Sequence, residues 1–368
     1  MNILFTVDRF GVEYGGISSA VSDLAQSLVK HGHSVTIYTS RLGSLTVPGV
    51  AARRFRSAYS ILGGANFTLP MLLANYDFDV AHLFGSYYTF QTFATILRAR
   101  CPIIYQPHGS VGFYRLPLFM DSLWRCIFDN SISRVISSSP RETDACRTVN
   151  LKNIVEIPNG VNLTYYTYLP PRSRELFRSS HGIPPDAPLV LYLGRIDSIK
   201  GIDVLLGAMP YLPDNYQLVV VGDADSPYGR SLVQSAPHNV LFAGPLYGRD
   251  KLLAYADASV FVLPSRGDAF GLTLLEALAC GVPVVVSDNC GLSSAIGGDI
   301  RLGTVVPLSS PLMADAIRHT VDYDTESDHA YRIVWASGHS WDKTASQIES
   351  VYRDVIEKQI RRKRLWQH

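Results

Sequence analysis

Short apolar runs alternate with stretches of helical period along almost the whole chain. NILFTV (2–7) has the β-branched and aromatic make-up of a buried strand, and SVTIYTS (34–40), FDVAHLF (78–84), PIIYQP (102–107) and RVISSS (134–139) repeat it. Between the first two runs lies a helical period through Val21, Leu24, Ala25 and Leu28. It is opened by Gly15-Gly16 and stopped near His31-Gly32. Strands alternating with helices predict a parallel sheet covered on both faces. The pattern breaks at 158–188, a proline- and tyrosine-rich stretch that reads as an inter-domain linker. It then restarts with strands at 188–194, 217–222, 240–244, 259–264 and 283–287, and helices near 201–209, 249–256 and 271–280; a final helical pattern covers 341–360. The expectation is two doubly wound α/β halves: 1–165, a linker at 166–187, and 188–344.

Length and composition agree with two domains. Single cores stop growing beyond roughly 250–300 residues, and this chain has 368, with 47% hydrophobic and 18% charged residues. The five cysteines are scattered without a C-x-x-C pair, which points to a reducing compartment with neither a disulfide framework nor a zinc site. No apolar run approaches the roughly 20 residues of a membrane span, and MNILFTVDRF reads as a first strand, not a signal peptide; a cytoplasmic protein is expected. Charge is uneven, with 14 Lys/Arg against 10 Asp/Glu in 1–165, 13 against 20 in 166–350, and 6 against 2 in 351–368. The basic end, with Leu365 and Trp366, reads either as a solvated helix terminus or as a foothold on anionic lipid, worth about 1 kcal/mol per basic residue at the surface.

The candidate chemistry sits where strands end. In SRGDAFGLTLLEALACGVPVVVSD (265–288), Asp268 falls on a loop after a strand and Glu276 about one turn into the following helix. Open parallel sheets bind ligands at the carboxyl ends of their strands. Gly271 permits close backbone approach, a helix N-terminus favours an anion, and a carboxylate can accept paired hydroxyls. A solvated loop acid and a helix-surface Glu would show the same spacing. Arg195 and Lys200 in YLGRIDSIKG form a loop pair able to converge on a diphosphate, or a plain surface turn. Gly15-Gly16 offers a turn for a phosphate or sugar hydroxyl but lacks G-x-G-x-x-G. His108, in QPHGS, is placed to bond a sugar hydroxyl or to be structural, and Asp223-Ala224-Asp225 reads as a turn; no cluster has metal-ligand spacing.

Taken in order, YGGISSAVSDLAQSLVKHGHSVTIYT, HGS, IPNGVN, LYLGRIDSIKGIDVLLGAM, NVLFAGPL, VFVLPSRGDAFGLTLLEALACGVPVV and SWDKTASQIESVY resemble the retaining glycosyltransferases of family 4 over nearly the whole chain. The resemblance implies a GT-B fold, two Rossmann-like doubly wound parallel-sheet domains facing a central cleft, with the helix at about 345–368 packing back on the first. It implies a nucleotide-diphosphate sugar as donor, held without a metal or other cofactor. Arg195 and Lys200 would neutralise the diphosphate, and Glu276 would bind the ribose. Asp268, Phe270, Gly271 and Leu272 would line the sugar and phosphate, and Gly244 and Leu246 would meet the base. From the first half, Gly15 and Gly16 would approach the phosphate and His108 the sugar. Two positions depart from the family pattern: E-x7-E becomes D-x7-E, which shortens the reach of Asp268 by more than about an angstrom, and the linker motif ends in Asn162 instead of Asp.

A glycan or lipid-linked acceptor is expected, in cell-surface polysaccharide or glycolipid synthesis, with peripheral contact to anionic membrane on the cytoplasmic face and no nucleic-acid partner. Its candidate contacts are Arg53-Arg54-Phe55-Arg56, Ser86-Tyr87-Tyr88 and GFYRLPLF (112–119). A nucleotide-sugar epimerase, or a binding protein that has lost transfer through Asp268, are the alternatives. The incomplete glycine fingerprint disfavours an oxidoreductase.

Overall fold

The computed structural model describes the chain apart from residues 12–14, 45, 56–58, 62–64, 68, 87–88, 112–125, 167–175 and 366–368. The chain divides into two compact units, Met1–Gly160 with Trp341–His368, and Val161–Ser340.

In the first unit the strands are β1 (Asn2–Phe10), β2 (Ser34–Leu42), β3 (Val50–Arg54), β4 (Tyr59–Ile61), β5 (Ala65–Phe67), β6 (Val80–Phe84), β7 (Ile103–Gln106), β8 (Ile132–Ser137) and β9 (Ile154–Glu156). Seven of them form a parallel sheet in the order β3-β2-β1-β6-β7-β8-β9, while β4 and β5 pair antiparallel. Ile3, Leu4 and Phe5 are wholly buried, so both faces of β1 are covered, as its unbroken apolar run requires. The helix Gly16–Lys30 buries Val21, Leu24, Ala25 and Leu28, the stripe its period predicts. The helix Trp341–Leu365 buries Trp341, Ala345, Ile348, Tyr352 and Val355 in this unit. Polar contacts fix its register: Thr344 Oγ1 donates to the Pro158 carbonyl at 2.9 Å, Tyr352 Oη meets His82 Nδ1 at 2.7 Å, and Arg134 pairs with Asp354 at 2.7 Å.

The second unit is built on β10 (Leu189–Leu193), β11 (Gln217–Val221), β12 (Val240–Gly244), β13 (Val260–Leu263), β14 (Val284–Ser287) and β15 (Gly303–Val306). They are parallel, in the order β12-β11-β10-β13-β14-β15. The segment at 166–187, read from composition as a linker, groups with this unit. In its described part Phe177 is buried, and the Arg178 guanidinium donates to the carbonyls of Pro184, Ala187 and Asp257. Proline and tyrosine content flagged the break in periodicity. It carried no information about which buried carbonyls needed a donor.

Each sheet reverses its strand order once, between β1 and β6 and between β10 and β13. Loops leaving the carboxyl ends of the two flanking strands diverge at such a point and leave a crevice.

Candidate functional site

In the second unit the loops after β10 and β13 flank the reversal, and the side chains tie them together. Lys200 Nζ lies 2.5 Å from Asp268 Oδ2, with both side chains less than one-fifth exposed. Lys200 closes a 3₁₀ turn, Ser198–Lys200, whose N-cap Asp197 accepts its backbone N–H at 3.2 Å. Tyr192 Oη donates to the Arg195 carbonyl at 2.7 Å, which pins the start of the loop; burial drives that phenol well above its ordinary pKa. Arg266, beside Asp268, staples the two loops. Its N–H reaches the Ile199 carbonyl at 2.7 Å, and its guanidinium donates to the Ser198 carbonyl and to both oxygens of Asp203. Those donors hold the Asp203 carboxyl below its usual range. Arg195 is mostly exposed and, among the described residues, its ion pair is with Asp197, at 3.2 Å, so it shares the Lys200 loop without pairing with Asp268.

Asp268 is fixed from its other side as well. Its Oδ1 accepts the Phe270 N–H at 3.2 Å, and its backbone bridges to the loop after β14, through Asn289 and Gly291. Gly271 follows at φ 92° and caps the helix Leu272–Ala279; a Cβ there would lie 2.7 Å from Leu274 and 2.8 Å from Cys290 Sγ. Glu276, one turn on, is held by residues that spacing did not reveal. Lys251 Nζ reaches its two oxygens at 2.7 and 2.8 Å, and Tyr255 Oη donates to one of them at 2.8 Å. Burial and the adjacent carboxylate both push the Tyr255 phenol far up in pKa. The signal for Lys251 was slight: it occupies one turn of the helix Gly248–Asp257, and only the fold brings that turn to Glu276. Gly244, at φ 71°, ends β12 with open space around its Cβ position, and Leu246 is half-buried against the core. Asp223 and Asp225 form a turn, in which the Asp223 carboxylate accepts the Asp225 N–H at 2.9 Å. Among the described residues no three His, Cys, Asp or Glu side chains are grouped to hold a metal ion.

In the first unit Gly15, at φ 77°, caps the helix that Gly16 begins, and Ser18 Oγ closes the first turn onto β1 by accepting the Gly11 N–H at 2.8 Å. Tyr14 lies outside the described residues. His108 leaves β7 with φ 49°, a left-handed conformation unusual for a residue with a Cβ. Its ring stacks on Phe84 at 5.7 Å, and Phe84 stacks on His82 at 4.1 Å. His108 Nε2 has no protein partner among the described residues. Burial lowers the His108 pKa to about 4 and that of His82 in the same direction, so both rings are neutral near pH 7. A histidine whose folded pKa is depressed binds more protons unfolded. Its stabilising contribution is therefore complete above the unfolded value of about 6.5 and is lost as pH falls towards 4. The first unit is expected to lose stability through His108 between those limits, by roughly 1 kcal/mol per pH unit at most, and buried His82 acts in the same direction. Urea unfolding followed from pH 7 to 4.5 checks this, and a variant with His108→Phe should show the shallower slope.

The acceptor-side candidates separate. Arg53 and Arg54 are exposed on β3, and Arg53 lines an open cavity of about 430 Å³ with Asn2, Thr36, Tyr38 and Asn75. Phe55 is not available for stacking on a ligand, because it is buried against Tyr38 at 4.9 Å. Arg56, Tyr87, Tyr88 and 112–119 lie outside the described residues, as does Trp366. Asn162 Oδ1 accepts the Tyr165 N–H at 3.3 Å, a structural role. Arg361, Arg362, Lys363, Arg364 and Leu365 are exposed on the last helix, and among the described residues no helix is long and apolar enough to cross a membrane.

Residues 14–165 match the Glycosyltransferase Family 4 family, and residues 173–330 match Glycosyl transferases group 1. The D-inositol 3-phosphate glycosyltransferase of Xylanimonas cellulosilytica is 31% identical over 229 residues, 57% of this chain and about half (53%) of that protein. The phosphatidyl-myo-inositol mannosyltransferase of Mycobacterium leprae is 28% identical over 364 residues, 93% of each chain. Among solved structures, Anabaena HepE in complex with UDP and glucose superposes with TM-score 0.81 at 19% identity, covering 96% of this chain and all of that one. Sucrose-phosphate synthase from Thermosynechococcus elongatus superposes with TM-score 0.78 at 23% identity, covering 97% of this chain and 99% of that one.

Proposed function

This chain belongs to the group 1, family 4 glycosyltransferases of GT-B fold, and from that premise we propose that it transfers a hexosyl residue, with retention of anomeric configuration, from a nucleotide-diphosphate sugar to a glycan or lipid-linked acceptor. The observation that carries the donor assignment is the Lys200–Asp268 pair at the strand-order reversal between β10 and β13. It puts a fixed cation where the sheet leaves its crevice, at the start of a helix whose N-terminus favours an anion.

In this reading Lys200 neutralises the diphosphate, and Arg195, exposed on the same loop, swings in as its second cation. Glu276, oriented by Lys251 and Tyr255, accepts the ribose hydroxyls. Asp268 serves two ends, holding Lys200 with Oδ2 while its loop lies along the sugar. The Gly244–Leu246 turn meets the base, Gly15 and Gly16 approach the phosphate, and neutral His108 bonds a sugar hydroxyl. The bond from the anomeric carbon to the diphosphate oxygen breaks as the acceptor hydroxyl attacks the same face. The departing phosphate oxygen takes the acceptor's proton, so the protein positions the reactants and stabilises growing negative charge. The inositol named in two relatives makes inositol-bearing phosphates the first acceptors to try. Membrane association would bring a lipid-linked acceptor to the enzyme, and the exposed basic end of the last helix supports it.

Thermal unfolding with UDP-glucose, GDP-mannose and ADP-glucose tests the donor. The matching nucleotide should stabilise the chain by about 2.7 kcal/mol at a hundredfold excess over its Kd. If none of the three shifts unfolding and none supports transfer, the donor assignment fails.

A further inference from the structure

The turn that carries His108 is held by a buried carboxylate that has no part in the transfer scheme above. Ser139-Pro140-Arg141-Glu142 reads as a capping box. Ser139 Oγ accepts the Glu142 N–H at 3.1 Å, with Pro140 in the first turn of the helix Pro140–Thr148. In an ordinary capping box the glutamate reaches back to the N-cap N–H. Here its carboxylate extends past the cap. Oε2 accepts both the N–H and the Oγ–H of Ser138 at 2.7 Å, and Oε1 accepts the N–H of Gly109 at 2.5 Å, from a loop 33 residues earlier. Glu142 is 2% exposed. A carboxylate placed that deep is costly unless donors surround it, and truncating it would leave those donors unsatisfied.

The bond to Gly109 falls on two consecutive left-handed residues, His108 at φ 49° and Gly109 at φ 77°. Glycine adopts that conformation freely, but a residue with a Cβ does so at a cost of about 1–2 kcal/mol. Such strain persists only where surrounding contacts over-determine it. Among the described residues four contacts do so here: the Glu142 carboxylate on Gly109, the Ser110 N–H and Oγ–H both donating back to the Pro107 carbonyl at 3.1 and 2.7 Å, and the His108 ring against Phe84. Relaxing the turn to an ordinary φ would swing the imidazole off Phe84.

We infer that Glu142 is a positioning residue, which clamps the His108–Gly109 turn through the Gly109 N–H and thereby fixes the direction in which His108 presents its ring. The functional half of this inference rests on His108 contacting the transferred sugar; the structural half does not.

The test compares Glu142→Gln, Glu142→Asp and His108→Ala with the parent chain. It uses side-chain NMR of His108 and release of nucleoside diphosphate from whichever of UDP-glucose, GDP-mannose and ADP-glucose is turned over. Gln keeps the shape but turns an amide towards donors, so the His108 ring signals should move and kcat should fall by about 10²-fold, the loss expected of an angstrom-scale misplacement. Donor KM should hold. Asp keeps the charge and should recover part of the loss. A folded Glu142→Gln protein with parental His108 signals and parental kcat overturns the inference. Should that variant not fold, unmoved His108 signals in Glu142→Asp overturn it instead. If His108→Ala turns over normally, the contact with sugar fails, while displaced ring signals in Glu142→Gln would still support the clamp.

Discussion

Lys200→Ala is expected to lower sugar transfer by about 10²–10³-fold, the loss typical of removing one preorganised charge stabiliser from an acyl-transfer site. Geometry sharpens what accompanies that loss. Lys200 neutralises Asp268 at 2.5 Å in a site where both side chains are largely covered, so the single variant leaves a shielded carboxylate without its cation. The Phe270 N–H still reaches Oδ1, which limits the damage. Part of any lost stability therefore belongs to Asp268 and not to Lys200. Adding Asp268→Asn to Lys200→Ala should restore the unfolding midpoint while leaving transfer as low as in the single variant. Urea unfolding and initial-rate assays on the three proteins make the separation. Parental turnover in Lys200→Ala would remove the diphosphate role, and restored turnover in the double variant would show that the lysine acts only by neutralising Asp268.

Gly201→Ala should be the most damaging single methyl group in the second unit's binding loops. Gly201 has φ 68°, and a Cβ built on it would sit 1.9 Å from the Pro264 carbonyl oxygen. That oxygen is backbone at the exit of β13, just before Ser265 and Arg266, which bond the same loop. It cannot yield without pulling the Asp268 loop away from Lys200. The expected cost is about 3 kcal/mol or more, combining left-handed strain with a contact no side-chain rotation relieves. Transfer should fall with it, because the two ends of the ion pair part. Gly182→Ala is the matched control. Its φ is 67°, but nothing lies within 4 Å of the built Cβ; it should cost about 1–2 kcal/mol from strain alone and leave transfer unchanged. Equal losses of stability in the two variants would mean that the Pro264 contact relaxes and does not position the loop.

Several elements of the site are legible in the sequence alone. Asp268 lies on a loop and Glu276 in the helix Leu272–Ala279, as the run of leucines and alanines after Gly271 predicted. Gly15-Gly16 opens a helix, and Lys200 follows a strand. What was not legible was each group's partner. Asp268 is the acid with an unusual length for the family pattern, and the side chain it meets is 68 residues away. Glu276 is held by Lys251 and Tyr255, from a helix whose own pattern says only that it is amphipathic. Glu142 carried a visible signal, Ser-x-x-Glu, but a capping box predicts a local bond, and the contact to Gly109 is not local. The stretch at 166–187 reads from composition as an inter-domain linker, but composition did not show that Arg178 within it satisfies the Ala187 and Asp257 carbonyls, which lie apart in sequence.

By itself the sequence determined that this protein would have two parallel α/β sheets, and which loops would leave the carboxyl ends of their strands. Burial on both faces demands uninterrupted apolar strands, and an amphipathic period marks each covering helix. Only the tertiary structure decided which charge meets which. β10 and β13 become neighbours because the chain first lays β11 and β12 on one side and then crosses to the other. Periodicity along a chain encodes which face of a strand is buried, but the order of strands across a sheet is set by how all the covering helices pack together. The meeting of Lys200 and Asp268 is a consequence of that order.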